Sequence, residues 1–144
     1  MPPLEEGRIG SSAHFSCFMV DRRLLNEIGD FDELFNPIYH EDSDMIWRVH
    51  LKNQVTCRNK SSVFYHVEAG TLKSYVDSKL DAEAQKYYQI VQLNLARYKL
   101  KWGGVPREEK FTVPFNGDKP EALLKELEDA QQKIASGELD ISEL

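Results

Sequence analysis

Apolar positions recur at three- and four-residue steps in four stretches of this chain, with turn residues and short alternating runs between them. Leu24, Leu25 and Ile28 form one short stripe; Asp21 is placed to cap that helix and Gly29 to end it in the left-handed conformation. Met45, Ile46, Val49 and Leu51 lie in a run from Ser43 to Lys52 without Gly or Pro, a spacing that suits a helix buried on more than one side. Asn53 closes it, because Asn tolerates the left-handed conformation. The longest helix predicted is Asp81 to Trp102, with Ala84, Tyr87, Tyr88, Val91, Leu95, Tyr98 and Trp102 as its stripe and Gly103-Gly104 as its stop. After Pro114 and Gly117, Asp118 can cap an amphipathic helix starting near Pro120, whose Leu123, Leu127, Ala130 and Ile134 can dock on the body or on another chain.

Period-two alternation marks three strands: Ala13 to Val20, mostly buried; a short one at Val55 and Cys57; and Ser62 to Val67, with His66 near its end. Phe31 and Phe35 flank an acidic pair and read as core, and Asn36-Pro37 turns the chain toward the Ser43 helix. Strands mixed with helices predict an α/β fold. The domain order is an irregular lead-in (1–12), a folded body (13–104), a linker (105–117) and a C-terminal helical tail (118–144).

The 144 residues suffice for one domain with a real core, and a hydrophobic content of 41% with 29% charged residues is that of a globular protein. A net charge of -6 with no Lys/Arg cluster argues against nucleic acid as a partner. Cys17 and Cys57 have neither metal-ligand spacing nor scaffold density, so reduced, buried thiols are expected. No apolar run approaches the roughly 20 residues of a membrane helix, and no signal segment is apparent, so a soluble cytoplasmic chain is the default. Gly-rich phosphate loops, Cys-x-x-Cys and Gly-x-Ser-x-Gly elbows are missing.

The candidate chemistry gathers at Tyr39-His40-Glu41-Asp42-Ser43-Asp44. A helix N-terminus presents unpaired amide hydrogens and partial positive charge, which favours an ionised carboxylate at Asp42 and makes it a ready base. The commoner reading of Glu41-Asp42 is an N-cap with an acidic first turn. Asp44 and Arg48, four apart with the acid first, suit a structural pair. A strand-end histidine such as His66 is more often hydrogen-bonded than metal-bound.

Taken in order, Phe15 to Val20, Arg22-Arg23-Leu24-Leu25, Ile28-Gly29-Asp30-Phe31-Asp32-Glu33, Glu41-Asp42-Ser43-Asp44-Met45-Ile46-Trp47-Arg48 and Tyr65-His66 resemble the C-terminal half of a family 2 glycosyltransferase. The resemblance covers roughly residues 10 to 75. It implies a partial GT-A-like sandwich, the acceptor-side half, followed by the long helix and the C-terminal amphipathic helix. It further implies an inverting transferase that moves a sugar from a nucleotide-sugar donor to an acceptor hydroxyl, with Asp42 as general base, Glu41 supporting the substrate site and His66 approaching a divalent metal (Mn or Mg) on the donor diphosphate. The family's Asp-x-Asp motif belongs to a donor-binding half that has no counterpart here, so the isolated chain is expected to be inactive and the metal to bind only with that half. The alternative is a non-catalytic interaction module derived from that fold, with self-association through the C-terminal helix.

Overall fold

The computed structural model describes Phe15, residues 17–57 and residues 82–138. In chain order its elements are α1 (Arg22–Ile28), a 3-10 turn (Glu33–Phe35), α2 (Glu41–Leu51), α3 (Ala82–Trp102), a second 3-10 turn (Pro114–Gly117) and α4 (Glu121–Ser136).

The described residues contain no strand, which corrects the expected α/β sandwich: every regular element among them is helical. Phe15 and residues 17–20, the described part of the strand expected over Ala13 to Val20, form no strand: strand backbone must pair with a neighbour, and none of the described residues pairs with them. The rings of Phe15, Phe18 and Phe31 collect instead at centroid distances of 4.5 to 5.9 Å, and Phe18, Met19 and Phe31 stay exposed. Phe31 is therefore not core. Val55 and Cys57 also lie outside any ladder, and both cysteines are free but exposed rather than buried. The lead-in and the predicted strand Ser62 to Val67 fall outside the described residues.

The helices obey their sequence signals more closely. Asp21 caps α1 by accepting from the Arg23 amide; Gly29 ends it at φ 82° and ψ 172°, a positive-φ backbone but not the left-handed helical conformation expected. Asn53, at φ 53°, follows α2 in the left-handed region. α3 ends at Trp102 as the Gly pair predicts, and α4 begins just after Pro120, although no side chain, Asp118 included, caps it.

Two small cores hold these helices. Phe35, Tyr98 and Trp102 form the first, with Leu34, Trp47 and Leu51 packed against it, so α2 and the first 3-10 turn close on the C-terminal half of α3. Ile90, Leu93 and Ile134 form the second with Leu127 and Ala130, and this docks α4 along the earlier turns of α3. Leu123, the first residue of the predicted stripe, remains exposed.

Residues 105–111 fold back over the end of α3. The Lys110 and Phe111 amides donate to the Trp102 carbonyl, and Trp47 Nε1 donates to the Phe111 carbonyl at 3.1 Å. This return needs glycine at two positions. Gly103 has φ 74° with the Phe111 ring against it, and a Cβ on Gly104 would lie 2.0 Å from the Glu108 carbonyl oxygen.

Between α2 and α3 lies a buried ionic centre. Asp44 is fully buried and accepts from Arg48 Nε at 2.8 Å, Lys101 Nζ at 2.5 Å and Trp102 Nε1 at 2.8 Å. Lys101 also donates to Asp32 at 2.6 Å, and Arg48 donates to the Ile28, Gly29 and Asp30 carbonyls at the end of α1. Burial works to raise the Asp32 carboxyl, but the Lys101 ammonium and the Leu34 amide outweigh it and hold that group below its ordinary range. One carboxylate thus gathers α1, α2 and α3, and each donor reduces the cost of taking it out of water.

Candidate functional site

The loop from Asn36 to His40 delivers the candidate residues to the start of α2. The Asn36-Pro37 and Ile38-Tyr39 peptides are cis, and His40 sits at φ 82° as the residue before the helix, making no side-chain capping bond. The Asp44 amide donates to the His40 carbonyl at 2.9 Å, so Glu41, Asp42 and Asp44 all lie in the first turn. The commoner reading of Glu41-Asp42, an N-cap with an acidic first turn, is met in its second part: the first turn is acidic, but His40 holds the cap position and no side chain caps it.

Asp42 is partly buried. Its Oδ1 accepts from the Ser43 amide at 2.7 Å and the Ser43 hydroxyl at 3.3 Å, whereas Oδ2 takes no hydrogen bond among the described residues. One oxygen is anchored and the other is unbonded among the described residues, beside the amide-rich end of a helix. Such a carboxylate can accept a proton from a ligand hydroxyl without leaving its rotamer.

Glu41 and His40 occupy less comfortable positions. Glu41 Oε2 and His40 Nε2 are both buried without a hydrogen-bond partner among the described residues. Burial raises the Glu41 carboxyl above its ordinary range, its own backbone amide opposing and the Asp42 charge adding to the rise. Burial also lowers the His40 imidazole, against the pull of Asp42. Orphaned buried polar atoms and displaced titrations are costly to a fold, and they concentrate where a ligand completes the set.

The floor of this cluster is α3. The His40 and Tyr98 rings lie 5.7 Å apart, and the Tyr98 hydroxyl donates to Glu109 Oε1 at 2.5 Å, with the Ser43 carbonyl at 3.5 Å. Burial and the Glu109 carboxylate keep that phenol protonated far above its ordinary range. Glu109 was not singled out by the sequence, showing there only as a linker acid; His40 entered as a member of the Tyr39 to Asp44 stretch with no role of its own, and Tyr98 as one member of the packing stripe.

Asp42 and Glu41 are thus neighbours in one cluster, as the sequence suggests, while His66 lies outside the described residues. No three His, Cys, Asp or Glu side chains among the described residues converge as metal ligands, so those residues do not by themselves fit a divalent cation. A separate open groove of about 730 Å³, bounded by Leu34, Asn36, Arg97, Lys125 and Gln131 among others, borders the same loop without reaching Asp42. No helix among the described residues is long and apolar enough to cross a membrane. Comparison with protein-family models, with curated proteins and with solved structures finds no match to the chain.

Proposed function

We propose that this chain carries the acceptor side of an inverting glycosyltransferase, with Asp42 as the general base. The observation that supports it is the half-anchored carboxylate: Asp42 is fixed through Ser43 at one oxygen and takes no hydrogen bond at the other among the described residues. As the acceptor hydroxyl oxygen bonds to the anomeric carbon, Asp42 Oδ2 takes its proton, and the bond to the donor diphosphate breaks with its electrons leaving on phosphate oxygen. A base placed within hydrogen-bond reach of that hydroxyl contributes roughly 10²- to 10⁴-fold to such a step. Glu41, beside it, supports the substrate site. The donor-binding half, its divalent metal and the approach of His66 to that metal belong to the same proposal, and no step is drawn through the metal from the residues described.

The test is reconstitution. The chain alone gives no turnover, and a nucleotide-sugar-binding half supplied as a second polypeptide restores it; Asp42→Asn then lowers the rate at least about 100-fold. Reconstituted turnover that is indifferent to Asp42→Asn overturns the assignment.

A second reading, a non-catalytic interaction module, draws support from the exposed Phe18, Met19 and Phe31. Sedimentation of the intact chain against one ending near Gly117 bears on it. Self-association that disappears with α4 supports a module, and a monomer in both cases counts against it.

A further inference from the structure

The loop that presents Asp42 is tied to the C-terminal helix by an unbroken chain of polar side chains. Asn94 Nδ2, on α3, donates to the Phe35 carbonyl at 2.7 Å and to the Ile38 carbonyl at 2.5 Å. Asn94 Oδ1 accepts from Arg97 Nη1 at 2.7 Å, and the same nitrogen donates to Gln131 Oε1 on α4. Gln131 Nε2 completes the circuit by donating to the Asn36 carbonyl at 3.2 Å.

Chemistry fixes the direction of every link. A guanidinium can only donate and a peptide carbonyl can only accept, so both amides are locked in one orientation, oxygen toward Arg97 and nitrogen toward the loop. Asn94 is fully buried and Arg97 nearly so, which makes the links of those two side chains costly to leave unmade, while the Gln131–Asn36 bond lies at the exposed end of the chain. The loop residues 35 to 38 are therefore held from two sides, by α3 through Asn94 and by α4 through Gln131, immediately before His40, Glu41 and Asp42. Arg97 Nε is buried without a hydrogen-bond partner among the described residues, and no carboxylate among them pairs with this cation, so the neutral amides of Asn94 and Gln131 orient it.

We infer that Gln131 is a positioning residue: α4, through Gln131 and the Arg97–Asn94 relay, sets the conformation of the loop that aims Asp42. The catalytic meaning of this rests on the function proposed above, but the coupling of α4 to the loop does not.

The experiment separates the two. Gln131→Glu keeps an acceptor for Arg97 and removes the donor to Asn36, Gln131→Leu removes both, and Gln132→Ala is a neighbouring control on the exposed face. Amide hydrogen exchange on the full chain reads the loop directly. About 3- to 10-fold faster exchange at the Asn36 and Asp44 amides is expected in Gln131→Glu, the weight of about one hydrogen bond, with the amides of Leu93 and Ile134 unchanged. Gln131→Leu matches or exceeds that effect, and Gln132→Ala shows none. Loop exchange equal to the parent, or acceleration spread evenly over α3 and α4, overturns the coupling. In the reconstituted enzyme Gln131→Glu lowers kcat and leaves KM for the donor in place. A parent without turnover removes the proposed function alone, and the exchange result still decides the coupling.

Discussion

Asp42 and Asp44, two residues apart in the first turn of α2, hold their carboxylates under opposite conditions. Asp44 is fully buried and receives Arg48, Lys101 and Trp102, whereas Asp42 is partly exposed and, among the described residues, receives only Ser43. A helix turns about 200° over two residues, which sends one side chain between α2 and α3 and the other to the face beyond the His40 loop. Coupling the two in one turn means that the fold's ionic anchor also fixes the backbone of its candidate base.

The two acids should therefore separate cleanly under mutation. Asp44→Ala leaves Lys101 and Arg48 without their shared buried partner and should cost about 3 to 5 kcal/mol, the penalty for removing one side of a buried ion pair. Asp42→Asn keeps an acceptor for the Ser43 amide and should move stability by no more than about 0.5 kcal/mol. Urea unfolding of both variants at neutral pH checks the contrast. A destabilisation of Asp42→Asn as large as that of Asp44→Ala would make Asp42 a second structural anchor rather than a free base.

Glu41 and His40 make opposing contributions to pH dependence. The Glu41 carboxyl is raised above its ordinary value of 4.5, so its stabilising contribution is complete below that value and is lost as pH rises through the folded-state titration. The His40 imidazole is lowered below its ordinary 6.5, so its contribution is complete above 6.5 and is lost as pH falls through the folded-state titration. At neutral pH the Glu41 charge is thus carried against the fold. Glu41→Gln should raise Tm at pH 7 and lose that advantage in acid, and His40→Gln should flatten the decline below pH 6.5. Melting curves from pH 3 to 8 provide the measurement, and a Glu41→Gln variant less stable than the parent at pH 7 would show that the carboxylate has a partner which stabilises its charged form.

The sequence made most of the helical skeleton legible and hid what fills it. The four helices were readable because their stripes and stops are local: Asp21 before α1, Asn53 after α2, the Gly pair after α3, and Pro120 before α4. Of the strand expected over Ala13 to Val20, the described residues form none, since an apolar run records a tendency to be covered and cannot say by what. The Asp44–Arg48 pair was readable at four-residue spacing, but Lys101 and Trp102 reach Asp44 across 57 and 58 positions, and no local pattern joins them. One signal does exist in α3. Asn94, Arg97 and Lys101 recur at three- and four-residue steps beside the apolar stripe, and polar residues with that periodicity imply buried partners supplied from elsewhere. His40 was marked only as part of the stretch around Asp42, because its left-handed backbone and buried Nε2 arise from the loop that Asn94 holds.

The docking of α4 is the last relationship open to direct measurement, and it bears on how the helix is used. Ile134 is fully buried against Ile90 and Leu93, while Leu123, on the same predicted stripe, is 41% exposed. If the stripe serves this chain's own core, Ile134→Ala should cost about 2 to 5 kcal/mol, the range for emptying a packed aliphatic site, and Leu123→Ala less than about 1 kcal/mol. The cost should not depend on protein concentration, because the contact lies within one chain. A stripe that instead joins two copies predicts the reverse: unfolding midpoints that rise with concentration, and a Leu123→Ala loss comparable to that of Ile134→Ala. Denaturant unfolding at two concentrations about 50-fold apart separates these outcomes. The first would fix α4 as the strut from which Gln131 reaches the Asp42 loop.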